Sequence, residues 1–594
     1  MEMANVTING QSISAPAGST ILQAAKQAGI DIPTLCNHPA LHPAGACRIC
    51  AVEIKGQRAL QTACTFPIQE GMDVQTESPR VVGARKLVID LLFSERNHFC
   101  PFCEMSGNCE LQSLGYRYRL DHWAYPTYTG RFPVDASHKY LLMDHNRCVL
   151  CGRCIRGCSE LVANHTLGLR QRGARTMIHA DMGVPWRDST CIVCGTCAQL
   201  CPTGTLTDKR SAFAGRDVQM TYTESTCSQC SVGCGMKIVT RNGSVQRIEG
   251  DWDAEVNGGL LCQMGRFAPL FDQRERLAAP LLKRNGRQEA ASWEEALRVV
   301  AENLGGNGAE LGVLTTTHAT NEALYMVGRL FRSDLKTTNI GLLNEAIPGW
   351  FGKPNGKFED LEKSDLIILV GADPAKDQPV SSFLVKRSVD GGARLIVVDG
   401  EENGLAPFAF LCLGMNGIGQ AVEIAERSER PVVLYGADLT EAAAEALKRL
   451  QGKAAFIGLE PGVNTRAAEA YGLNKGFKPS GAKVLYLLLG EQDWDGAELL
   501  AEARKGTFIV AQSSFVSPLT QQADVVLPMA VWSERAGSLT NTEGRVLTAN
   551  RAVDPAGEAK PDWEILALIA DKLGIKIGSS LSEITAQATK EFTT

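Results

Sequence analysis

Nineteen of the 20 cysteines in this 594-residue chain lie between Cys36 and Cys262, and Cys412 stands alone in the second half. The start of the chain has no charged segment followed by an apolar stretch, so we expect no signal peptide and a cytoplasmic location. Cysteines in that compartment stay reduced, and dense clusters of them bind metals more often than they form disulfides. The chain is therefore expected to combine a metal-binding front part with a cysteine-poor back half.

Composition narrows the class of protein further. Hydrophobic residues make up 44% and charged residues 21%, as in ordinary globular proteins. The formal net charge of −6, without any block of basic residues, argues against nucleic-acid binding. No apolar run approaches the roughly 18 residues of a membrane span. The length predicts about three to five domains.

Two runs in the front part share one cysteine spacing. Residues 148–158 read CVLCGRCIRGC and residues 191–202 read CIVCGTCAQLCP, and both contain C-x2-C-x2-C-x3-C. This is the pattern of bacterial two-cluster ferredoxins, in which the fourth cysteine of each run crosses to the other cluster. The pattern predicts two 4Fe–4S clusters. A single zinc ion fits this cysteine spacing poorly. The ligand sets are then Cys148, Cys151, Cys154 and Cys201 for one cluster, and Cys191, Cys194, Cys197 and Cys158 for the other.

Four more cysteines follow a predicted hairpin and a short helix at the N-terminus. Asn9-Gly10 predicts the hairpin turn, and Ser19 or Thr20 begins the helix, which Gly29 ends. The order of hairpin, helix and cysteines resembles the β-grasp ferredoxins of the complex I and hydrogenase families. This resemblance implies a 2Fe–2S cluster. A zinc site is the alternative. The four cysteines are Cys36, Cys47, Cys50 and Cys64.

A further set surrounds a predicted strand turn at Asn242-Gly243. Its spacing resembles the N-terminal cluster domain of the molybdopterin oxidoreductase superfamily, which implies another 4Fe–4S cluster, with structural zinc as the alternative. The set is Cys227, Cys230, Cys234 and Cys262.

The loop NHFCPFCEMSGNC, residues 97–109, contains the remaining thiols of the front part. Because each of the other sets is complete, this loop is one ligand short of four. His98 is the economical fourth ligand, and Asp121 or His122 are its rivals. With His98 included, the candidate ligands form five sets of four, one set for each cluster. The thiols of this loop are Cys100, Cys103 and Cys109.

The order of these modules resembles the large iron–sulfur subunit of respiratory complex I (NADH-quinone oxidoreductase) and the cluster subunits of NAD-linked formate dehydrogenases and hydrogenases. NHFCPFCEMSGNCELQ, DHNRCVLCGRCIRGC and CPTGTLTDK carry the resemblance. It implies an electron-transfer subunit of a multisubunit NAD(P)H-dependent oxidoreductase, without a substrate-transforming site of its own. The implied partners are an NAD(P)H-oxidising flavoprotein with FMN, its small 2Fe–2S subunit, and a further redox partner.

Two departures from complex I favour a soluble redox complex. Only Phe99 separates His98 from the first cysteine of its loop, where complex I usually has three residues. All eight ferredoxin-type cysteines are also kept, whereas the complex I subunits typically retain ligands for one cluster. The expected location is the cytoplasm, or a peripheral position on the cytoplasmic face of the membrane. A bifurcating complex is compatible with these features.

The back half alternates strands with helices and resembles the molybdopterin-binding domains of formate dehydrogenase. GADPAKDQP and ADVVLPMAVWSERAGSLTNTEGRV carry this resemblance. Met264 stands where the family has the lysine that links the cluster to the pterin. Residues 399–401 (DGE) replace the family's D-P-R. Residues 337–356, where the family has a Cys, Ser or Asp metal ligand, contain none of these three residue types. No G-x-G-x-x-G follows a strand, so no dinucleotide site is expected. We expect a domain without molybdopterin; the alternative is a molybdenum or tungsten formate dehydrogenase catalytic subunit.

The predicted fold class is thus multidomain, α+β in front and α/β behind. The cofactors are one 2Fe–2S and four 4Fe–4S clusters, one of them with one His and three Cys ligands. The predicted domains are a β-grasp 2Fe–2S ferredoxin (1–80), a one-His/three-Cys 4Fe–4S domain (81–138), a two-cluster 4Fe–4S ferredoxin (139–215), a 4Fe–4S molybdopterin-oxidoreductase N-terminal domain (216–275) and a molybdopterin-oxidoreductase-like α/β domain without cofactor (276–594).

Overall fold

The structure is a computed structural model. It describes residues 2–122, 124–126, 132–305, 308–343, 347, 355–399, 402–474 and 476–593. The chain forms two compact units, Met1–Met220 and Thr221–Thr594. Within the described residues, no helix has both the length and the apolar character needed to cross a membrane.

The first unit contains short strands and helices. Its strands are β1 (Met3–Ile8), β2 (Gln11–Pro16), β3 (Ala51–Ile54), β4 (Gln61–Thr62), β5 (Asp73–Gln75), β6 (Val134–Asp135), β7 (Leu141–Asp144), β8 (Leu167–Arg170), β9 (Met177–Ala180) and β10 (Leu206–Asp208). Its α-helices are α1 (Ile21–Gln27), α2 (Pro79–Glu95), α3 (Glu110–Arg117), α4 (Arg153–Arg156) and α5 (Thr196–Leu200).

The N-terminal part of this unit is a mixed sheet with the strand order β2-β1-β5-β3-β4. Asn9 (φ 50°) and Gly10 (φ 83°) form the turn between the antiparallel strands β1 and β2. Positive φ at both central residues is the geometry of a type I′ turn, so the hairpin prediction is confirmed. Thr20 is the N-cap of α1, as predicted. The apolar core between sheet and helix includes Cys50 and Cys64, which anchors one end of the first cysteine set.

Two strand pairs bring the ferredoxin-type cysteines together. β7 leads towards Cys148 and pairs antiparallel with β10, which follows Cys201. β8 and β9 lie between Cys158 and Cys191 in the chain and also pair antiparallel, so this segment folds back on itself. Both pairings carry the fourth cysteine of one run towards the three-cysteine loop of the other.

The second unit is larger. Its strands are β11 (Thr221–Thr226), β12 (Gly235–Arg241), β13 (Ser244–Gly250), β14 (Leu281–Arg284), β15 (Arg287–Ala290), β16 (Leu311–Thr315), β17 (Asn339–Leu342), β18 (Leu366–Val370), β19 (Arg394–Val398), β20 (Leu411–Leu413), β21 (Pro431–Tyr435), β22 (Ala455–Gly458), β23 (Val484–Gly490), β24 (Phe508–Ser513), β25 (Val525–Pro528), β26 (Gly537–Thr540) and β27 (Val546–Ala549). Its α-helices are α6 (Gln263–Arg266), α7 (Trp293–Leu304), α8 (Asn321–Val327), α9 (Phe358–Lys363), α10 (Pro374–Asp377), α11 (Pro379–Asp390), α12 (Ile418–Ala425), α13 (Glu441–Leu447), α14 (Thr465–Ala470), α15 (Ala497–Glu502), α16 (Pro518–Gln522), α17 (Asp562–Lys572) and α18 (Leu581–Thr593).

The sequence predicts seven apolar segments of the back half as strands: ELGVLTT, DLIILVGA, RLIVVDG, RPVVLYGA, KAAFIGL, KVLYLLLG and GTFIVAQ. They form β16, β18, β19, β21, β22, β23 and β24, and their mutual pairings are parallel. They belong to two sheets, with the orders β15-β14-β25-β24-β23-β16-β17 and β20-β19-β18-β21-β22. Every residue of β16, β18 and β21 is buried, as expected for parallel strands covered on both faces. Each sheet packs its own apolar core.

Smaller predictions for this unit are also confirmed. Asn242 (φ 51°) and Gly243 (φ 72°) form the turn between the antiparallel strands β12 and β13. The sequence also predicts a helix start with a capping box from Ser292 to Glu295, and Ser292 caps α7 by accepting a hydrogen bond from the Glu295 backbone N–H.

The apolar stretch FAFLCLG predicts that Cys412 is an inert core residue, and this prediction is wrong. Cys412 is exposed and lies on β20, an edge strand of its sheet, where it alternates with two half-buried leucines. The apolar stretch FAFLCLG suggested full burial, but an edge strand turns one face to solvent.

Candidate metal centres

The first four cysteines lie as two adjacent pairs. A hydrogen bond from the Cys47 thiol lowers the pKa of Cys36 to about 5, and one from the Cys50 thiol lowers the pKa of Cys64 to about 7. The backbone amides of Cys36 and Cys47 also donate to each other's sulfur, at 3.4 and 3.5 Å. Two neighbouring thiol pairs fit a two-iron centre with four cysteine ligands.

The loop of residues 97–109 surrounds a cavity. Cys100, Cys103 and Cys109 line it together with His98. His98 follows the C-terminal end of α2, and Cys109 is the N-cap residue of α3, so two helix ends hold the loop. The structure therefore brings the three thiols and the imidazole to one place.

The His98 ring is oriented to use one particular nitrogen. Burial lowers the pKa of His98 to about 4, so the imidazole is neutral. The ring donates to the Leu92 carbonyl oxygen, while Nε2 is buried and has no hydrogen-bond partner among the described residues. A proton on Nδ1 leaves the Nε2 lone pair free, which is the state in which histidine binds a metal. The rivals Asp121 and His122 are exposed and bonded to each other, at 2.7 Å between Oδ1 and Nδ1.

The first ferredoxin-type set lines a second cavity, to which Cys148, Cys151, Cys154 and Cys201 all contribute. Burial raises the pKa of Cys148 to about 11 and that of Cys151 to about 12, and repulsion from Cys201 adds to both. Buried thiols of this kind ionise when a positive charge lies beside them, which a bound metal supplies. The donor set and the cavity fit an iron–sulfur cluster.

The second ferredoxin-type set is gathered in the same way. Burial raises the pKa of Cys197 well above its ordinary value, and the charges of Cys194, Cys191 and Cys158 raise it further. The fourth cysteine of each run thus lies with the three cysteines of the other.

The two ferredoxin-type loops repeat one backbone conformation. Leu150 (φ 52°) and Val193 (φ 60°) each donate a backbone N–H at 3.4 Å, to the sulfur atoms of Cys148 and Cys191 respectively. Positive φ is uncommon outside glycine, and here it turns the amide towards the sulfur.

The last cysteine set lies in the second unit. The Cys227 N–H donates to the Cys234 carbonyl oxygen at 2.8 Å. Burial raises the pKa of Cys227 to about 12, and the charge of Cys262 raises it further. Burial and the charges of Cys262 and Cys227 raise the pKa of Cys230.

In the part of the chain that the structure describes, no group of three or more His, Cys, Asp or Glu side chains is placed to hold a single metal ion. The candidate ligands instead line cavities, as at the His98 loop and at Cys148. Zinc needs its sulfur ligands about 2.3 Å from one point. A cluster with several irons holds its ligands farther apart.

Arg153, which the sequence did not single out as functional, ties three of these loops together. Its buried guanidinium makes a bidentate ion pair with Glu110, at 2.5 and 2.8 Å, and donates to the Asn37 carbonyl oxygen at 2.7 Å. Glu110 and Asn37 each follow a candidate cysteine ligand in the chain, and Arg153 precedes one. The position of Arg153 inside a cysteine motif was the available signal.

One apolar cluster reaches the same three loops. Cys36 and Cys151 belong to it, and Cys100 and Cys109 pack against it. Three of the candidate ligand sets therefore share a continuous core.

Five family descriptions match the chain in order. They are "2Fe-2S iron-sulfur cluster binding domain" (2–79), "NADH-ubiquinone oxidoreductase-G iron-sulfur binding region" (85–123), "NADH-quinone oxidoreductase subunit 3, ferredoxin-like domain" (139–207), "Molybdopterin oxidoreductase Fe4S4 domain" (220–271) and "Molybdopterin oxidoreductase" (276–572). Because the last description covers half of the chain, the chain belongs to the molybdopterin oxidoreductase family. The predicted combination of a 2Fe–2S ferredoxin domain, 4Fe–4S regions and a molybdopterin-oxidoreductase domain is confirmed.

Over nearly its full length the chain is similar to subunits of NADH-quinone oxidoreductases and of an NADPH-Fe(3+) oxidoreductase, which confirms the resemblance drawn from the motifs. NADH-quinone oxidoreductase subunit 3 of Thermus thermophilus is 29% identical, over 97% of this chain and 83% of the relative. The mitochondrial NADH-ubiquinone oxidoreductase 78 kDa subunit of Candida albicans is 29% identical, over 96% and 83%. NADPH-Fe(3+) oxidoreductase subunit alpha of Geobacter sulfurreducens is 27% identical, over 96% and 81%.

Among solved structures, an NAD+-reducing NiFe-hydrogenase chain in the H2-reduced state is 35% identical. The match covers 36% of this chain and 90% of that chain, with a TM-score of 0.34, which is too low to compare the folds.

Proposed function

We propose that this chain is the iron–sulfur electron-transfer subunit of a multisubunit NAD(P)H-linked oxidoreductase, relaying single electrons between a partner flavoprotein and another redox partner. The observation that carries the proposal is the junction at Arg153, where one guanidinium and one apolar core connect three candidate ligand sets. Such a junction suits a chain whose task is to hold several redox centres close together and away from water.

Five ligand sets follow from the cysteines and His98. The proposed 2Fe–2S ligands are Cys36, Cys47, Cys50 and Cys64, and the proposed 4Fe–4S sets are His98 with Cys100, Cys103 and Cys109; Cys148, Cys151, Cys154 and Cys201; Cys158, Cys191, Cys194 and Cys197; and Cys227, Cys230, Cys234 and Cys262. When bound, such clusters supply one-electron chemistry. The chain's own residues exclude water, hold the ligands in place and donate backbone N–H groups to sulfur, as Leu150 and Val193 do.

The proposed partners follow from the chemistry of nicotinamides. NAD(P)H gives up two electrons as hydride, so a flavin has to divide the pair before single-electron carriers accept it. We place that flavin, FMN, in a separate NAD(P)H-oxidising subunit accompanied by a small 2Fe–2S subunit. The names of the relatives as oxidoreductase subunits support a multisubunit complex. The proposed location is the cytoplasm, or the cytoplasmic face of the membrane as a peripheral complex.

Met264 in the 4Fe–4S domain and Arg535 in the α/β domain both argue against a bound molybdopterin. Met264 stands where the family has its pterin-linking lysine; its side chain is 47% exposed and carries no N–H donor. Arg535 is a buried cation beside the loop after β16. Its charge is already compensated by Asp562 and Glu491 of the chain itself. Other predicted differences fall on residues 344–346, 348–354 and 400–401, which lie outside the described residues. We propose that this domain is a structural platform without molybdopterin.

Metal and sulfide analysis of the anaerobically purified, reconstituted full chain tests the proposed function. We expect about 18 iron atoms per chain, from one two-iron and four four-iron clusters, and neither molybdenum nor tungsten. Cys201→Ser should lose iron, whereas Cys412→Ser is the matched control, because Cys412 is exposed and outside all five sets. A colourless chain without acid-labile sulfide would reject the proposal. Stoichiometric molybdenum or tungsten would instead support a formate dehydrogenase catalytic subunit.

A further inference from the structure

Two buried aromatic rings present N–H groups to one candidate ligand, Cys191. His138 Nε2 lies 4.0 Å from Cys191 Sγ. Burial raises the pKa of Cys191 to about 11, and a hydrogen bond from the Trp186 side chain acts in the opposite direction. His138 is 2% and Trp186 1% exposed, so water does not compete for either N–H.

The backbone determines which nitrogen of His138 carries the proton. The N–H groups of Tyr140 and Leu141 donate to His138 Nδ1, at 3.2 and 3.0 Å. Nδ1 therefore acts as an acceptor, and the proton of the neutral ring lies on Nε2, the atom that faces Cys191. His138 is thus a donor to the sulfur.

Trp186 has a single polar atom, and that atom can only donate. Its Nε1 is buried and has no hydrogen-bond partner of ordinary geometry within the described residues. A buried donor without an oxygen partner is costly, and the Cys191 sulfur is the acceptor near it.

The two rings are held in place by their surroundings. Their centroids are 4.6 Å apart. Asp135 Oδ2 accepts the Trp186 backbone N–H at 2.9 Å, and Lys209 Nζ donates to the His138 carbonyl oxygen at 2.6 Å. These contacts restrain both rings beside Cys191.

The equivalent position in the other ferredoxin-type run has different neighbours. Cys148 receives the same backbone N–H as Cys191, from Leu150 in place of Val193. The side chains that act on the pKa of Cys148 are Thr205, through a hydrogen bond, and the charges of Arg96 and Cys201. The pair of ring donors thus distinguishes the Cys191 set from the Cys148 set.

We infer that His138 and Trp186 are positioning residues that donate hydrogen bonds to the Cys191 sulfur and make the reduction potential of the cluster bound there less negative. The inference rests on the proposed function, since it takes Cys191 as a cluster ligand. Reduction adds one negative charge to the cluster and its ligands, and an N–H dipole directed at a ligand sulfur stabilises that charge.

An EPR-monitored redox titration of the reconstituted full chain tests the inference. The signal belonging to this cluster is the one that Cys191→Ser abolishes or alters. Trp186→Phe keeps an aromatic ring and removes the N–H. We expect it to lower the ratio of reduced to oxidised cluster at a fixed potential by on the order of tenfold, about 59 mV for a one-electron couple. The signals of the other clusters should not shift.

A second pair of variants tests His138 independently and decides the matter where Trp186→Phe does not assemble. His138→Leu removes the donor, and we expect a shift in the same direction; His138→Gln keeps a side-chain N–H and should lie closer to the parent. Unchanged potentials in Trp186→Phe and His138→Leu, equal shifts of all signals, or identical values for His138→Leu and His138→Gln would each overturn the inference. A parent chain that binds no iron would overturn the proposed function instead.

Discussion

Gly204→Ala should disturb one candidate site and leave the others intact. A Cβ on Gly204 would lie 2.6 Å from Cys103 Sγ, and 3.7 Å from the Met105 side chain. Nonbonded heavy atoms are best separated by about 3.5–4.0 Å, so the sulfur has to move by about 1 Å. Because Cys103 lines the His98 cavity, the movement displaces a candidate ligand and not merely a packing neighbour.

The size of the effect follows from this overlap. Forcing one extra carbon into a packed site costs about 1–3 kcal/mol. If the cost falls on metal binding, the affinity of that site drops about 5- to 150-fold. The φ of Gly204 is ordinary, so crowding alone and no backbone strain produces the effect.

Gly83→Ala is the matched control, since it adds the same methyl group elsewhere in the first unit. Gly83 lies within α2, and apart from its chain neighbours and the backbone of its own helix no described atom lies within 4 Å of its added Cβ. Alanine favours a helix over glycine by about 1 kcal/mol, so this variant should keep all its iron.

The assay is iron and sulfide content after reconstitution and a timed chelator challenge, with EPR to identify the cluster that is lost. We expect Gly204→Ala to lose about four irons per chain, those of the His98 set, well before the parent does. Crowding at Cys103 is refuted if Gly204→Ala retains iron and the signal of that cluster as firmly as Gly83→Ala.

Two further predictions concern single charges. His98→Cys replaces a neutral imidazole by a thiolate and should make the potential of that cluster more negative in a redox titration; an unchanged or higher potential would contradict ligation by His98. Burial, followed by repulsion from Glu469, raises the pKa of Glu460 from 4.5 to about 7. The stability linked to this raised pKa is complete below the unfolded value and is lost as the pH rises towards 7, so the ionised carboxylate destabilises the folded state above that pH. Glu460→Gln should therefore stabilise the chain by about 3 kcal/mol near pH 8 and much less near pH 5, and denaturation curves that coincide with the parent near pH 8 would count against it.

Short-range patterns predicted much of the fold and of the candidate sites. Asn9-Gly10 and Asn242-Gly243 form hairpin turns because their conformation depends on the turn residues themselves. The apolar segments of the back half form parallel strands because buried β-strands require continuous apolar runs. The cysteine spacings predicted sets of residues that the structure brings together.

Contacts between distant residues could not be predicted in this way. Arg153 meets Glu110 and Asn37, which lie 43 and 116 residues away in the chain. His138 approaches Cys191 across 53 residues. These partners are brought together by the pairing of β7 with β10 and of β8 with β9, which no local pattern specifies. Cys412 was placed wrongly because an apolar stretch does not reveal whether its strand lies at the edge of a sheet.

The two ferredoxin-type runs show why a motif predicts ligands but not redox potentials. Both have the same spacing, and in both a residue with positive φ donates an N–H to the first sulfur. The groups that distinguish the two first sulfurs, His138 and Trp186 beside Cys191, lie outside both motifs. Because N–H donors near sulfur shift cluster potentials, identical spacing allows different potentials. The relative potentials of such clusters are therefore determined by the segments packed around the motifs.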